Sequence, residues 1–316
     1  MGRTYVRTWE SPLGEMLLES DGESLTGAWF AHGSREERAG ELPGPTDEGC
    51  PVLDEATSWL GDYFAGRRPE PLPPVSLAGR GTAFRRAAWE ELSRIPYGET
   101  TSYGELARRV GERLGRRTSA RAVGGAVGRN PVCVVVPCHR VVAADGALTG
   151  FGAGVWRKRA LLGLERDGLL VAEAPERGER LVAALAGVWE TSVRATHDFL
   201  APGAVEAMAG FVPEAIRGVG NLLVAWRGGA PVAFLGEEAG RIEMLFVAPR
   251  ERGTGLGREL VARAVGELGA REVDANEQNG QAVGFYEHLG FRTYERTDVD
   301  DQGQPYPLLR MRLQDR

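Results

Sequence analysis

The sequence predicts a multi-domain α/β chain: a small N-terminal α/β domain with an antiparallel sheet, a helical domain containing a helix-turn-helix, and a C-terminal α+β domain with a mixed sheet. Three observations carry this. The 316 residues exceed what one hydrophobic core usually serves, so two or three domains are expected. Two candidate linkers, RRPEPLPP at 67–74 and LLVAEAPERGER at 169–180, divide the chain. The apolar residues alternate before the first linker, follow helical spacing between the two, and do both after the second.

In order, Tyr5, Val6, Trp9, Met16-Leu17-Leu18 and Leu25–Phe30, with Gly14 and Asp21-Gly22 between them, read as a strand meander. Leu53, Ala56, Leu60 and Phe64 mark a helix over 52–64. Residues 103–110 and 119–127 read as helix-turn-helix. The second of these helices is nearly bare: Ala120, Ala122, Gly124, Gly125 and Ala126. Glycine in a helix costs about 1 kcal/mol relative to alanine, so a reason is needed; close approach to a nucleic-acid groove and close packing on the domain core both supply one. The last segment opens with helices, then gives strands at 222–226, 232–235 and 242–247, a Gly-rich turn, a helix over 255–268, and further strand and helix. The expected domains are 1–75, 76–168 and 181–316, with 169–180 as linker.

Composition is that of a globular protein, 42% hydrophobic and 26% charged. No apolar run approaches the roughly 18 residues of a membrane span, and the N-terminus lacks a signal-peptide core. Three cysteines make no disulfide framework, so a cytoplasmic monomer with free thiols is expected. Net charge is −6, which by itself speaks against nucleic acid. Its distribution speaks for it: residues 76–168 carry 16 basic against 8 acidic side chains, and the flanking segments are acidic. A basic middle is the footprint of a polyanion-binding module, with compositional noise as the alternative. Every basic residue except Lys158 is Arg, a pattern of codon bias that carries no functional reading.

Residues 131–142 read PVCVVVPCHRVV. A thiolate, not a thiol, is the nucleophile, and an adjacent His is the usual activator. Neighbours on an extended backbone point opposite ways, so Cys138 and His139 need a turn, begun at Pro137, or a bridging water. Cys133 and Cys50 read as buried structural cysteines.

The surroundings distinguish Cys138. Asn130-Pro131 and Pro137-Cys138-His139-Arg140-Val141, with 98–107 and 120–126 upstream and Thr149-Gly150-Phe151-Gly152-Ala153-Gly154 and Arg157-Lys158 downstream, resemble the O6-alkylguanine-DNA alkyltransferases, also called methylated-DNA–protein-cysteine methyltransferases. The likeness is dense over 82–168 and looser over 1–75, where Ser11-Pro12-Leu13-Gly14 fits. It implies a winged helix-turn-helix-like alkyltransferase domain that irreversibly accepts an alkyl group from O6-alkylguanine, and from O4-alkylthymine, in double-stranded DNA bound through the minor groove. Cys138 would be the acceptor, His139 its base through a water, Glu165 the group that fixes the His tautomer, and Asn130 a brace. Tyr103 would press on the target phosphate and Arg121 fill the gap left by the flipped base, with Ala122, Gly124, Gly125 and Arg140 also at the DNA and Arg108, Arg109, Arg113, Arg116 and Arg117 on phosphates. Val141, Thr149, Gly150, Phe151 and Gly152 would form the base pocket. Flipping is required because a stacked guanine cannot present O6 to a thiol. His32 and Cys50 make no metal cluster, so no metal is expected.

Residues 241–257 read RIEMLFVAPRERGTGLG, a strand, a Gly-rich turn and a helix start of the kind that cradles phosphate. With Asn276–Asn279, Gly284–Glu287, 195–200 and 298–309, it resembles the GNAT N-acetyltransferases. The resemblance implies acetyl-CoA as cofactor, held by Phe246, Val247, Arg252, Gly253, Thr254, Gly255, Leu256, Gly257 and Asn279. Tyr286 would be the acid for the leaving thiolate, and Glu243 or His197 the base for an unidentified amine. Two further readings stay open: a lesion-binding sensor, and a DNA-tethered acetyltransferase with little alkyl transfer.

Overall fold

A computed structural model gives the fold of residues 3–31 and 49–314; His32, weighed above as a metal ligand, lies outside the described residues. The chain divides into two compact units, residues 1–172 with 227–229 and residues 173–226 with 230–316. Among the described residues no helix is long and apolar enough to cross a membrane.

The first unit begins with an antiparallel meander, β1 (Tyr5–Ser11), β2 (Gly14–Ser20) and β3 (Leu25–Phe30). Helix α1 (Pro51–Phe64) starts with proline in its first turn, where a missing N–H costs nothing, and buries Leu53, Ala56, Leu60 and Phe64 along the stripe that faces the sheet. Helices α2 (Ala83–Leu92), α3 (Tyr103–Leu114) and α4 (Ala120–Val127) pack on one another. Each is capped by a hydroxyl: Thr82, Ser102 and Ser119 accept from the N–H groups of Arg85, Glu105 and Ala122. The interhelical stretch is shorter than the sequence suggests because α3 runs on to Leu114 and ends at left-handed Gly115. A Cβ on Gly111 would sit 2.9 Å from the Arg116 carbonyl oxygen, so only glycine lets this turn fold back. Strand β4 (Thr101–Ser102) pairs in parallel with β5 (Val141–Val142), and α5 (Val155–Asp167) follows.

The segment 67–74 is not a free tether. Leu25 N–H donates to the Pro74 carbonyl at 2.7 Å and Ser76 N–H to the Leu25 carbonyl at 3.0 Å. Along the same strand Ala28 N–H donates to Pro131 and Cys133 N–H to Ala28, at 2.9 and 2.8 Å. An edge strand carries unsatisfied backbone groups. Here two extended segments satisfy those of β3, so 1–75 and 76–168 share one unit.

The second unit is built on helices α6 (Glu179–Thr196), α7 (Ala204–Ala209) and α8 (Val212–Gly218), then strands β7 (Asn221–Arg227), β8 (Ala230–Glu238) and β9 (Arg241–Val247). Helix α9 (Leu256–Arg263) continues as a π turn, Ala264–Leu268, followed by β10 (Glu272–Asn276), α10 (Gly280–His288), β11 (Phe291–Thr297) and β12 (Leu308–Leu313). Strand β6 (Leu169–Glu173) lies almost wholly in the first unit; within the second the sheet order is β11-β12-β10-β9-β8-β7. It is mixed: β10 runs parallel to β9 and antiparallel to β12. All of Leu222–Trp226 is buried, as an uninterrupted apolar run in a strand covered on both faces requires. The stretch 169–180, expected as linker, begins with β6, in which Leu170, Val171 and Ala172 are buried.

Candidate functional sites

Asn130 builds the turn that carries the thiol. Its amide Nδ2 donates to the carbonyls of Val132 and Val136, at 3.3 and 2.7 Å, and to Cys138 Sγ at 3.1 Å, while Oδ1 accepts from Val132 N–H at 3.1 Å. Within that clamp Val134 sits at φ +72, a left-handed conformation a β-branched residue rarely takes, so the turn is held by tertiary bonds against local preference. Cys138 opens a 3-10 turn, Cys138–Arg140, and is buried. The Cys133 thiol, its sulfur 3.9 Å away, pulls the Cys138 thiol down. Burial opposes this, but the Asn130 amide and the Lys158 ammonium add to it, and the thiol ends below its ordinary value. A lowered thiol is more readily ionised, and the thiolate is the nucleophilic form.

His139 is wholly buried. Its Nε2 lies 2.8 Å from Glu165 Oε1 and 3.2 Å from the Tyr63 hydroxyl. Nδ1 has no protein partner, so with Nε2–H donated to the carboxylate Nδ1 is the basic nitrogen. Burial holds the imidazole below its ordinary value against the pull of Glu165. Burial would also raise the Glu165 carboxyl, but bonds from His139 and Arg140 overcome it and keep it ionised.

Arg140, expected at the DNA, is buried instead. Its Nε and Nη2 each lie 2.9 Å from Glu165 oxygens and Nη1 donates to the Ile95 carbonyl at 2.6 Å; the only carboxylate within reach in a buried pocket claims it. Three partners were not read from the sequence. The Tyr63 hydroxyl donates to Glu165 at 2.7 Å, and Gly98 N–H donates to it at 3.0 Å. The Lys158 ammonium, buried, donates to the Val141 and Thr149 carbonyls. Tyr63 lies on the buried stripe of α1, where it is indistinguishable from core; Lys158 was marked in the sequence by being the sole lysine and by its place in the Arg157-Lys158 string, neither of which gives it a partner.

A cavity of about 30 Å³ adjoins Cys138, lined also by Trp29, Phe30, Asn130 and Cys133. An open hollow of about 660 Å³ lies over Tyr103, Ala120, Gly124 and Thr149. Gly128, Gly150, Phe151 and Gly152 line both and so form the wall between them. Of the expected base pocket, Gly150, Phe151 and Gly152 touch the inner cavity, Thr149 only the outer hollow, and Val141 is core. Tyr103 hydroxyl bonds the Thr149 and Gly150 carbonyls at 3.2 and 3.3 Å, tying the wall to α3. On the outer face Arg116, Arg117 and Arg121 are exposed. Arg108, Arg109 and Arg113, expected on phosphates, form ion pairs with Glu105, Glu112 and Glu90, which reduces their net charge toward a polyanion. A Cβ at Gly124 or Gly125 would meet only Tyr103 at 3.8 Å or Arg129 at 3.6 Å, so packing does not require these glycines; the bare face points outward.

In the second unit β9 and β10 pair only at Arg241–Glu272 and Ile242–Val273. Beyond that they part around a cavity of about 560 Å³ lined by Phe246, Val247, Ala275 and Asn276. Asp274 Oδ1 and Asn276 Oδ1 are buried without partners, as befits a surface that a polar ligand completes. Arg252, Gly253, Gly255, Leu256, Gly257 and Asn279 line the same space, as do Tyr286, Glu243 and His197. Thr254 does not; its hydroxyl donates to the Glu251 carbonyl at 2.7 Å, where it shapes the loop. Gly253 and Gly255 have φ of +76 and +89, so backbone conformation selects glycine there. Asn279 caps α10 by accepting from Ala282 N–H at 3.1 Å. Burial pushes the Tyr286 phenol well above its ordinary value, raises Glu243 against the pull of Arg241, and lowers His197.

An activated thiol beside a helix-turn-helix with a bare second helix defines a DNA-directed thiol transferase, here joined to a cleft of splayed strands. Residues 83–167 match the 6-O-methylguanine DNA methyltransferase DNA binding domain, and 191–313 the acetyltransferase (GNAT) domain. The methylated-DNA–protein-cysteine methyltransferase of Mycobacterium tuberculosis H37Rv is 43% identical over 164 residues, 52% of this chain and 93% of that protein. That of Haemophilus influenzae is 40% identical over 166 residues, 52% and 88%. The solution structure of apo YjaB from Escherichia coli is 36% identical, covering 45% of this chain and 97% of that one, with a TM-score of 0.40. The chain belongs to the methylated-DNA–protein-cysteine methyltransferase family, with a GNAT acetyltransferase domain fused behind it.

Two predictions follow from these geometries. Gly124→Ala and Gly125→Ala each leave thermal stability equal or up to about 1 kcal/mol higher, yet weaken duplex-DNA binding by roughly tenfold, about 1.4 kcal/mol, measured by fluorescence anisotropy; unchanged binding would show that α4 does not enter a groove. His139 and Glu165 both have folded values below their unfolded ones, so the unfolded chain binds more protons as pH falls. Stability is therefore full above about pH 6.5 and declines on acidification below it. His139→Gln should lower the pH 7 thermal midpoint and flatten the fall between pH 7 and 5; a parallel fall in the variant refutes the assignment.

Proposed function

We propose that the chain repairs duplex DNA by a single, irreversible transfer of the alkyl group of O6-alkylguanine to Cys138. O4-alkylthymine, which presents the same alkyl–oxygen bond, is the second substrate. The observation that carries this is the thiol clamp: Cys138 Sγ held by the Asn130 amide, next to an imidazole whose tautomer Glu165 fixes. One water between Cys138 and His139 Nδ1 carries the thiol proton to the imidazole. The sulfur then attacks the alkyl carbon, the carbon–O6 bond breaks, and the electron pair leaves with the guanine, which takes up a proton. The thioether formed is not reversed, so each molecule acts once.

The DNA face is α4. Ala122, Gly124 and Gly125 approach the minor groove, Arg121 fills the space of the extruded base, and Tyr103 presses its phosphate. Because Tyr103 also ties down the 149–152 wall, pushing on a phosphate releases that wall and opens the inner cavity. Residues 1–75 brace the site through Tyr63, 76–168 hold thiol and DNA face, and 181–316 form the acetyltransferase.

In that last domain the backbone amides of 252–257 bind pyrophosphate, with Arg252 adding charge, and Phe246, Val247 and Asn279 hold the rest of acetyl-CoA. The cofactor supplies an acetyl thioester. Tyr286 keeps its proton for the departing sulfur, and Glu243, with His197 as the second candidate, takes one from the amine. The acceptor is not a lysine of this chain: Lys158, the only one, is buried.

Incubation with duplex DNA carrying O6-methylguanine adds one methyl group to the protein mass, and Cys138→Ala adds none. Tight lesion binding without mass gain would support the sensor reading instead. By calorimetry the chain binds acetyl-CoA; Gly255→Val, which cannot keep φ at +89, lowers the affinity at least tenfold, and an unaltered isotherm would remove the cofactor from this loop.

A further inference from the structure

We propose that Cys133 is a resolving thiol: in the lesion-free protein a hydroperoxide oxidises Cys138, and Cys133 captures the product as a Cys133–Cys138 disulfide that suspends alkyl transfer until it is reduced. Three observations converge. The two sulfurs are 3.9 Å apart, across a turn held by Asn130 and by the Val136 N–H bond to the Val132 carbonyl at 2.9 Å. Cys133 is partly exposed, whereas Cys138 and Cys50 are buried, so it is not the inert core cysteine that its apolar neighbours suggest. Both line the inner cavity, which gives a molecule of peroxide size a path to the two sulfurs.

The resting protein thus keeps a reactive sulfur within reach of small oxidants during all the time it waits for a lesion. Oxidation follows thiolate character and access, and both are met here. The Cys138 thiolate attacks one peroxide oxygen, the O–O bond breaks, and hydroxide leaves; sulfur is oxidised to sulfenic acid and peroxide reduced. Cys133, deprotonated by that hydroxide, attacks the Cys138 sulfur, the S–OH bond breaks, and the second hydroxide leaves as water on protonation. Two thiols and one peroxide give one disulfide and two waters. The sulfurs close from 3.9 Å to about 2.05 Å, a shift of roughly 2 Å shared between two side chains. Without the partner the sulfenic acid goes on to sulfinic acid, which thiols do not reverse, and a single-use protein is lost unspent.

The test exposes the full chain to excess hydrogen peroxide and reads intact mass, a peptide map, and methyl transfer before and after dithiothreitol. The wild type loses two hydrogens in a peptide linking Cys133 to Cys138, loses transfer, and regains it on reduction. Cys50→Ala behaves the same. Cys133→Ala and Cys133→Ser instead gain two oxygens on Cys138 and stay inactive after dithiothreitol; because Cys133 also lowers the Cys138 thiol, recovery is read for each protein as a fraction of its own untreated transfer. A wild type that gains oxygen without losing hydrogen, a link through Cys50, or recovery by Cys133→Ala equal to the wild type overturns the proposal. None of these outcomes touches the methyl-transfer assignment, which the unoxidised protein tests separately.

Discussion

Glu165, on α5, carries its buried carboxylate among donors from three other parts of the chain: Tyr63 on α1, Gly98 before β4, and His139 and Arg140 on the thiol turn. A charge out of water is tolerable only when its lone pairs are used, and here each oxygen takes at least two donors. Losing one partner of such a buried charge costs about 3–5 kcal/mol, so the network is structural before it is chemical. The same bonds settle which imidazole nitrogen is basic. One group therefore ties α1, through the Tyr63 phenol, to the thiol turn.

Around that anchor the thiol is kept small and dry. The Asn130 clamp forces Val134 left-handed, Lys158 ties Val141 to Thr149, and Phe151 stands between the sulfur and the outer hollow. Exclusion of bulk water strengthens the Lys158 and Asn130 contributions to the thiolate.

The acetyltransferase unit solves a different problem by the same economy of bonds. Two parallel strands that stop pairing after two residue pairs leave backbone and side-chain polar groups open to a ligand, and a glycine turn starts a helix beside them.

Both chemistries were legible in the sequence because they depend on local strings: the thiol turn, the hydroxyl caps, the bare α4, the Gly-rich turn. The strand meander and α1 were legible from periodicity, which burial on one face imposes. What failed were readings that depended on where distant backbone groups find partners. The proline-rich 67–74 looked like a tether because composition cannot show an open sheet edge waiting to be paired. Arg140 looked like a DNA contact because charge cannot show a buried carboxylate 25 residues away in sequence. The sequence by itself pointed to the two activities and marked Cys138 as the candidate nucleophile. Tertiary structure alone decided which groups fill the Glu165 carboxylate and that Cys133 faces Cys138, because each is a contact whose spacing in the sequence carries no periodic signal.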